Sequence, residues 1–104
     1  MMIRHTVLLR PLARTTESEL TGLMDEIAEL ENKHDGFIRF EHGKNKTPED
    51  RDHRYSYGFT ATFKDWASLA AYQADPEHQA TGRKIVLACE SDAEGILVFD
   101  CVVD

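Results

Sequence analysis

The residue best suited to acid–base chemistry in this sequence is His78. The pair Asp75-Pro76 offers a helix N-cap followed by a first helical position, so His78 is predicted to occupy the third position of that helix. The partial positive charge of a helix N-terminus disfavours the imidazolium, although a capping carboxylate at Asp75 would cancel part of this effect. A neutral imidazole can accept a proton, and the sequence therefore predicts a general base at His78.

Asp100 is the only acidic residue in the apolar stretch 95–103. An unpaired buried carboxylate is costly, so Asp100 requires a partner. We expect a hydrogen bond to His78, which would orient the imidazole and fix its tautomer. Tyr72 could then donate its hydroxyl to a substrate carbonyl as negative charge develops on the oxygen. The same three residues could instead form a structural polar cluster that holds the last helix on the sheet.

His5 is a further candidate, because it shares a predicted strand face with Ile3 and Val7. It is either a core histidine with one satisfied hydrogen bond or a second polar group that lines a ligand cavity beside His78. We therefore predict His5 as a candidate ligand-binding residue. His5, His78 and Asp100 also have the side chains of a metal site, but no local ligand spacing supports one. No metal or other cofactor is predicted.

Four strands are predicted to position these residues. In stretches 3–9 and 55–63, mostly apolar side chains alternate with mostly polar or small ones, which is typical of half-buried strands. Stretch 37–43 forms another, with Ile38, Phe40 and His42 expected on one face. Stretch 95–103 is apolar on both faces apart from Asp100, as expected of a strand that is covered on both sides.

The helices begin at recognisable caps. Thr16 and Glu19 form a capping box before an apolar stripe of helical spacing, and Gly36 is suited to a left-handed cap at the end of that helix. Asp65 is predicted to cap a second helix. Its inner stripe is expected to carry Trp66, Leu69 and Ala70.

The order of elements is βαββ, a broken helical segment, then β. This order predicts a ferredoxin-like α+β fold, βαββαβ, in which a four-stranded antiparallel sheet carries its helices on one face, within a single domain spanning residues 1–104. The other sheet face is left uncovered, although the third and fourth strands place apolar or β-branched residues on it. Such a patch implies a partner, and a second copy related by a two-fold axis is the simplest one, so we predict a homodimer.

Composition excludes several classes of partner. The 104 residues include 12 Lys+Arg and 19 Asp+Glu, giving a net charge of −7. This acidic balance argues against nucleic acid and anionic membranes, and no apolar run approaches the roughly 20 residues that span a bilayer. Cys89 and Cys101 lie too far apart for a CxxC motif. We expect a soluble protein of the reducing cytoplasm.

Three stretches resemble the stress-responsive A/B barrel (Dabb) domain family. They are I-R-H-T-V at 3–7, H-G-K-N at 42–45, and the segment 63–78, which runs from F-K-D-W through A-A-Y to D-P-E-H. The resemblance covers nearly the whole chain. It implies a homodimer in which two sheets face each other as an α+β barrel with the helices outside.

Some members of this family are polyketide cyclases, which close a linear oxo-chain by intramolecular condensation. In them, residues that match Tyr72 and His78 form the catalytic pair, and an Asp that we match to Asp100 supports the His. The resemblance therefore implies Tyr/His acid–base chemistry in a small cavity.

This sequence departs from the cyclase pattern at two places. Asp75 stands where cyclase-like members have a further His, and the first helix presents Ile27 and Leu30 rather than an aromatic lining. Polyketide cyclisation is therefore not carried over, and we expect a small, mostly apolar oxygenated ligand. A non-catalytic dimeric stress or interaction protein and a cofactor-free monooxygenase of the related dimeric barrel type are the alternatives.

Overall fold

Four strands and three helices make up the computed structural model, which describes residues 1–91 and 94–104. The elements are β1 (Met2–Leu9), α1 (Glu17–Lys33), β2 (Phe37–Lys44), β3 (Tyr57–Phe63), α2 (Trp66–Ala74), α3 (Pro76–Ala88) and β4 (Ile96–Val103). The strands form one antiparallel sheet in the order β2-β3-β1-β4. This is the predicted ferredoxin-like fold, with the last helical segment broken into α2 and α3.

Helix α1 begins at the predicted capping box. The hydroxyl of Thr16 accepts a hydrogen bond from the backbone N–H of Glu19 at 3.1 Å, and the Glu19 carboxylate accepts one from the backbone N–H of Thr16 at 3.4 Å. The helix ends at His34, which is extended, and Gly36 does not adopt a positive φ, so the predicted left-handed cap is wrong. Glycine is required at position 36 for a different reason, because a Cβ there would overlap the side chain of Ser68.

The inner sheet face forms the core together with the apolar stripe of α1. In β1 and β3 the alternation buries Ile3, His5, Val7, Leu9, Tyr57, Phe59, Ala61 and Phe63. Strand β2 carries a bulge between Phe37 and Arg39, which leaves Ile38 44% exposed. The expectation that Ile38 shares a face with Phe40 and His42 is therefore wrong, because the bulge shifts the alternation by one residue.

Helix α2 is capped as predicted, since the Asp65 carboxylate accepts a hydrogen bond from the backbone N–H of Ser68 at 2.8 Å. Its buried residues are Leu69 and Tyr72. Trp66 is the first residue of the helix and is 49% exposed, and Ala70 is exposed as well, so the predicted inner stripe is correct only at Leu69.

Strand β4 lies at the edge of the sheet, and its large apolar side chains stay exposed in the single chain. Leu97, Val98, Phe99 and Val102 are between 45% and 62% exposed. Leu97 and Phe99 are on the outer sheet face, whereas Val98 and Val102 are on the same face as the helices. The expected cover on both faces of β4 is therefore not supplied within one chain. None of α1, α2 and α3 combines the length and apolar character that a bilayer-spanning helix needs.

Candidate functional site

The first turn of α3 is fixed to the end of α1. Asp75 caps α3 by accepting a hydrogen bond from the backbone N–H of Glu77 at 2.8 Å, which places His78 at the predicted third position. The other oxygen of Asp75 contacts Nε2 of His34 at 2.7 Å and Nζ of Lys33 at 3.0 Å. The hydrogen bond from His34 is the largest cause that lowers the pKa of Asp75 to about 2. We call this group of Lys33, His34 and Asp75 the α1–α3 clamp.

Tyr72 and His78 lie against each other behind this clamp, as a ring pair whose centroids are 4.0 Å apart at an angle of 47°. Tyr72 is fully buried. Within the described ranges, neither the Tyr72 hydroxyl nor Nδ1 of His78 has a hydrogen-bond partner. Burial raises the pKa of Tyr72 and lowers the pKa of His78 below its ordinary 6.5, because both charged forms are disfavoured. The tyrosine is therefore protonated and the imidazole neutral at pH 7.

Asp100 pairs with His5 and not with His78. The two residues are directly opposite in the β1–β4 register, and Nδ1 of His5 lies 2.5 Å from Oδ1 of Asp100. The predicted Asp100–His78 bond is therefore wrong, since the strand register places the carboxylate beside the histidine of the neighbouring strand. An ionised carboxylate only accepts, so Nδ1 of His5 is the donor in this hydrogen bond.

His5 and His78 both line a cavity of about 280 Å³ between the sheet and the helices α1 and α3. Its other lining residues are Gln73, Gly82 and the apolar residues Val7, Ile27, Phe59, Ile85, Val86, Ile96 and Val98. None of these lining residues is Lys, Arg, Asp or Glu. Tyr72 and Asp100 do not line the cavity, and each lies in contact with one of the two histidines that do.

The structure thus brings the four predicted residues into one cluster but divides them into two pairs, Tyr72 with His78 and His5 with Asp100. Sequence reasoning missed the clamp residue His34, which only the tertiary packing brings to Asp75. It also did not single out Gly82, which lines the cavity one helical turn after His78. Over residues 1–91 and 94–104, no group of three or more His, Cys, Asp or Glu side chains is placed to hold a metal ion.

The fold is that of a ferredoxin-like α+β domain, with a cavity lined by two histidines between the helices and the sheet. The model of the family described as the stress responsive A/B barrel domain matches residues 3–103, and the chain belongs to this family. No curated protein matches the chain.

Solved structures of similar proteins share the fold over nearly the whole chain. A dimeric ferredoxin-like protein of unknown function from Jannaschia sp. CCS1 is 37% identical, with a TM-score of 0.92 over 99% of this chain and 100% of that one. A Dabb family protein from Mesorhizobium loti is 25% identical, with a TM-score of 0.71 over 98% and 96%. The hydroxynitrile lyase from Passiflora edulis is 19% identical, with a TM-score of 0.84 over 99% and 94%, which is a likeness of fold.

Proposed function

We propose that this domain binds a small, uncharged, mostly apolar molecule with a carbonyl or hydroxyl oxygen and carries out acid–base chemistry on it. The observation that carries this proposal is the cavity of about 280 Å³, whose titratable lining consists of His5 and His78. Ligand pockets are typically apolar with a few convergent polar groups, and this cavity fits that description.

His78 is the general base in this proposal. Its imidazole is neutral because burial lowers its pKa, and Nδ1 has no hydrogen-bond partner within the described part of the chain. His78 lines the cavity but its Nδ1 is buried, so in this proposal a rotation of the ring brings Nδ1 to the ligand, where it takes a proton from a bound C–H or O–H group. Removal of this proton places negative charge on the substrate oxygen. A hydrogen-bond donor is needed to stabilise that charge.

Tyr72 is the proposed donor for that oxygen. Its hydroxyl is buried, protonated and without a partner in the described residues. Tyr72 contacts the ring of His78 rather than the cavity, so in this proposal a movement of that ring lets the ligand oxygen reach the hydroxyl. A buried hydroxyl without a partner costs free energy, and this cost favours a role in binding over a role in stability. His5, held by Asp100, is an auxiliary contact that offers Nε2 to a ligand hydroxyl.

An uncharged ligand suits this cavity better than an anion. Among the lining residues none is Lys or Arg, so an anionic group would be desolvated without a countercharge.

The active form in this proposal is a homodimer. Leu97 and Phe99 leave an apolar patch on the outer sheet face, and similar structures, including the 37% identical one from Jannaschia, are described as dimeric. Two outer faces packed together bury this patch and form the barrel that the family name describes.

Solvent exchange tests the acid–base part without knowledge of the natural substrate. The protein is incubated with acetophenone in D₂O, and deuterium in the methyl group is followed by NMR. We expect exchange faster than in buffer, and we expect His78→Asn to remove the acceleration. His53→Asn is the control, because His53 is exposed and its positive φ is one that Asn adopts readily. Exchange at the buffer rate, or equal acceleration by His78→Asn, would contradict the proposed chemistry and favour a non-catalytic protein.

A further inference from the structure

We propose that Gly82 determines the size of the molecule that the cavity accepts, because a side chain at this position would occupy the space beside His78. This inference rests on the proposed function and adds a specificity-determining residue to it. Gly82 would leave room for the bulk of the ligand, while the ligand oxygen lies at the histidine.

The residues of α3 that line the cavity form one helical face. They are His78, Gly82, Ile85 and Val86, at spacings of four, seven and eight residues from the first. Residues three or four apart on a helix are neighbours on its surface, so Gly82 is next to His78, one turn further along. This is the only position on that face without a side chain.

Neither the backbone nor the packing requires glycine at position 82. Its φ is not positive, and a Cβ built there meets no atom within 4 Å. Gly36 is the opposite case, since a Cβ there would overlap Ser68. Glycine in a helix interior is unfavourable compared with alanine, so its presence at position 82 opposes helix stability without relieving a clash. Its one structural consequence on this face is open space in the cavity.

A second glycine in a similar setting supplies the matched control. Gly22 lies inside α1, and a Cβ there also meets no atom within 4 Å. It does not line the cavity. Substitution of Gly22 therefore changes a helix in the same way without changing the space beside His78.

The test measures binding of three neutral ketones of increasing size, acetophenone, 4-ethylacetophenone and 4-butylacetophenone, by NMR titration. The variants are Gly82→Ala, Gly82→Leu and Gly22→Leu, each first checked for folding by thermal unfolding. We expect Gly82→Leu to weaken binding of the butyl ketone, relative to acetophenone, by about tenfold, with Gly82→Ala in between and Gly22→Leu unchanged. Should Gly82→Leu prove poorly folded, Gly82→Ala alone carries the test, because alanine favours the helix.

The outcomes separate this inference from the proposed function. If the wild-type protein binds the ketones and both Gly82 variants keep the wild-type ratio of affinities, the role of Gly82 is wrong and the proposed function stands. If Gly22→Leu changes the ratio as much as Gly82→Leu does, the effect is not local to the cavity and the inference is overturned. If the wild-type protein binds none of the three, the proposed function is wrong and the inference with it.

Discussion

Asp100 accepts a hydrogen bond from Nδ1 of His5 at 2.5 Å across the β1–β4 pair. The next residue back along β4, Phe99, points to the opposite face of the sheet, where it is 62% exposed. One edge strand therefore contributes a carboxylate to the candidate site on one face and an apolar side chain to the proposed dimer surface on the other. The candidate site and the proposed dimer surface thus share the strand β4.

Asp100→Asn should destabilise the protein while preserving its shape. The substitution removes the charge of the acceptor at a buried histidine, and hydrogen bonds to charged groups contribute about 1.5–3 kcal/mol, of which the remaining amide oxygen recovers a part. We expect a loss of about 1–2 kcal/mol in the free energy of unfolding, measured with urea. Asp104→Asn, which removes the same charge at the exposed C-terminal residue, should have no effect. Equal stabilities for both variants would show that the His5–Asp100 bond contributes little.

Phe99→Asp should separate the proposed dimer into single chains. A carboxylate on the outer sheet face would be buried without a partner in a face-to-face dimer, which is strongly unfavourable. We expect light scattering to give twice the chain mass for the wild type and 11.8 kDa for the variant. Trp66→Asp is the control, because Trp66 is similarly exposed but lies on a helix, on the other side of the sheet. A wild type that scatters as a single chain would contradict the dimer.

Tyr72→Phe should separate stability from function. Because the Tyr72 hydroxyl has no partner in the described residues, its removal should leave the free energy of unfolding unchanged or raise it by up to about 1 kcal/mol. Ketone exchange should nevertheless fall to the buffer rate. Tyr57→Phe is the matched comparison, since its hydroxyl bonds Nδ1 of His42 at 2.7 Å and its loss should cost about 1 kcal/mol. A destabilised Tyr72→Phe with normal exchange would show that the hydroxyl is structural.

The α1–α3 clamp predicts a specific acid sensitivity. The pKa of Asp75 is lowered from 3.8 to about 2, so the unfolded chain binds the proton more tightly than the folded one. The stabilisation from this carboxylate is therefore complete above pH 3.8 and is lost as the pH falls towards about 2. We expect Asp75→Asn to be less stable than the wild type near pH 7, with the difference in melting temperature shrinking across that window. The exposed neighbour Asp35 supplies the control variant Asp35→Asn, and a constant difference for Asp75→Asn would contradict the role of the clamp.

The sequence was sufficient for the elements and their order, because caps and periodicities are local. The capping box at Thr16, the cap at Asp65 and the Asp75-Pro76 start of α3 all lie where they were predicted. The predicted inner stripe of α2 failed at Trp66 and Ala70, and two further local predictions failed for tertiary reasons. The bulge in β2 displaces Ile38, and the close approach of Ser68 explains Gly36 without a left-handed cap.

The sequence predicted which residues come together in the candidate site, but not which of them pair with each other. The strand register decides which histidine pairs with Asp100. A shift of two residues along β4 would change the partner without changing any local sequence pattern. The sequence could not predict either that the Tyr72 hydroxyl has no partner in the described part of the chain, because hydrogen bonding of a buried group depends on all surrounding elements. The neutral state of His78 was predicted from the helix dipole, whereas in the structure burial is the largest cause that lowers its pKa.

The most direct test of the proposed site is a histidine NMR titration with acetophenone. The ring signals of His5, His78 and His53 are followed as the ketone is added at pH 7. We predict saturable shifts for His5 and His78 with one common dissociation constant, and no shift for the exposed His53. Unchanged signals of His5 and His78 at saturating ketone, or equal shifts of all three rings, would contradict a binding cavity between α3 and the sheet.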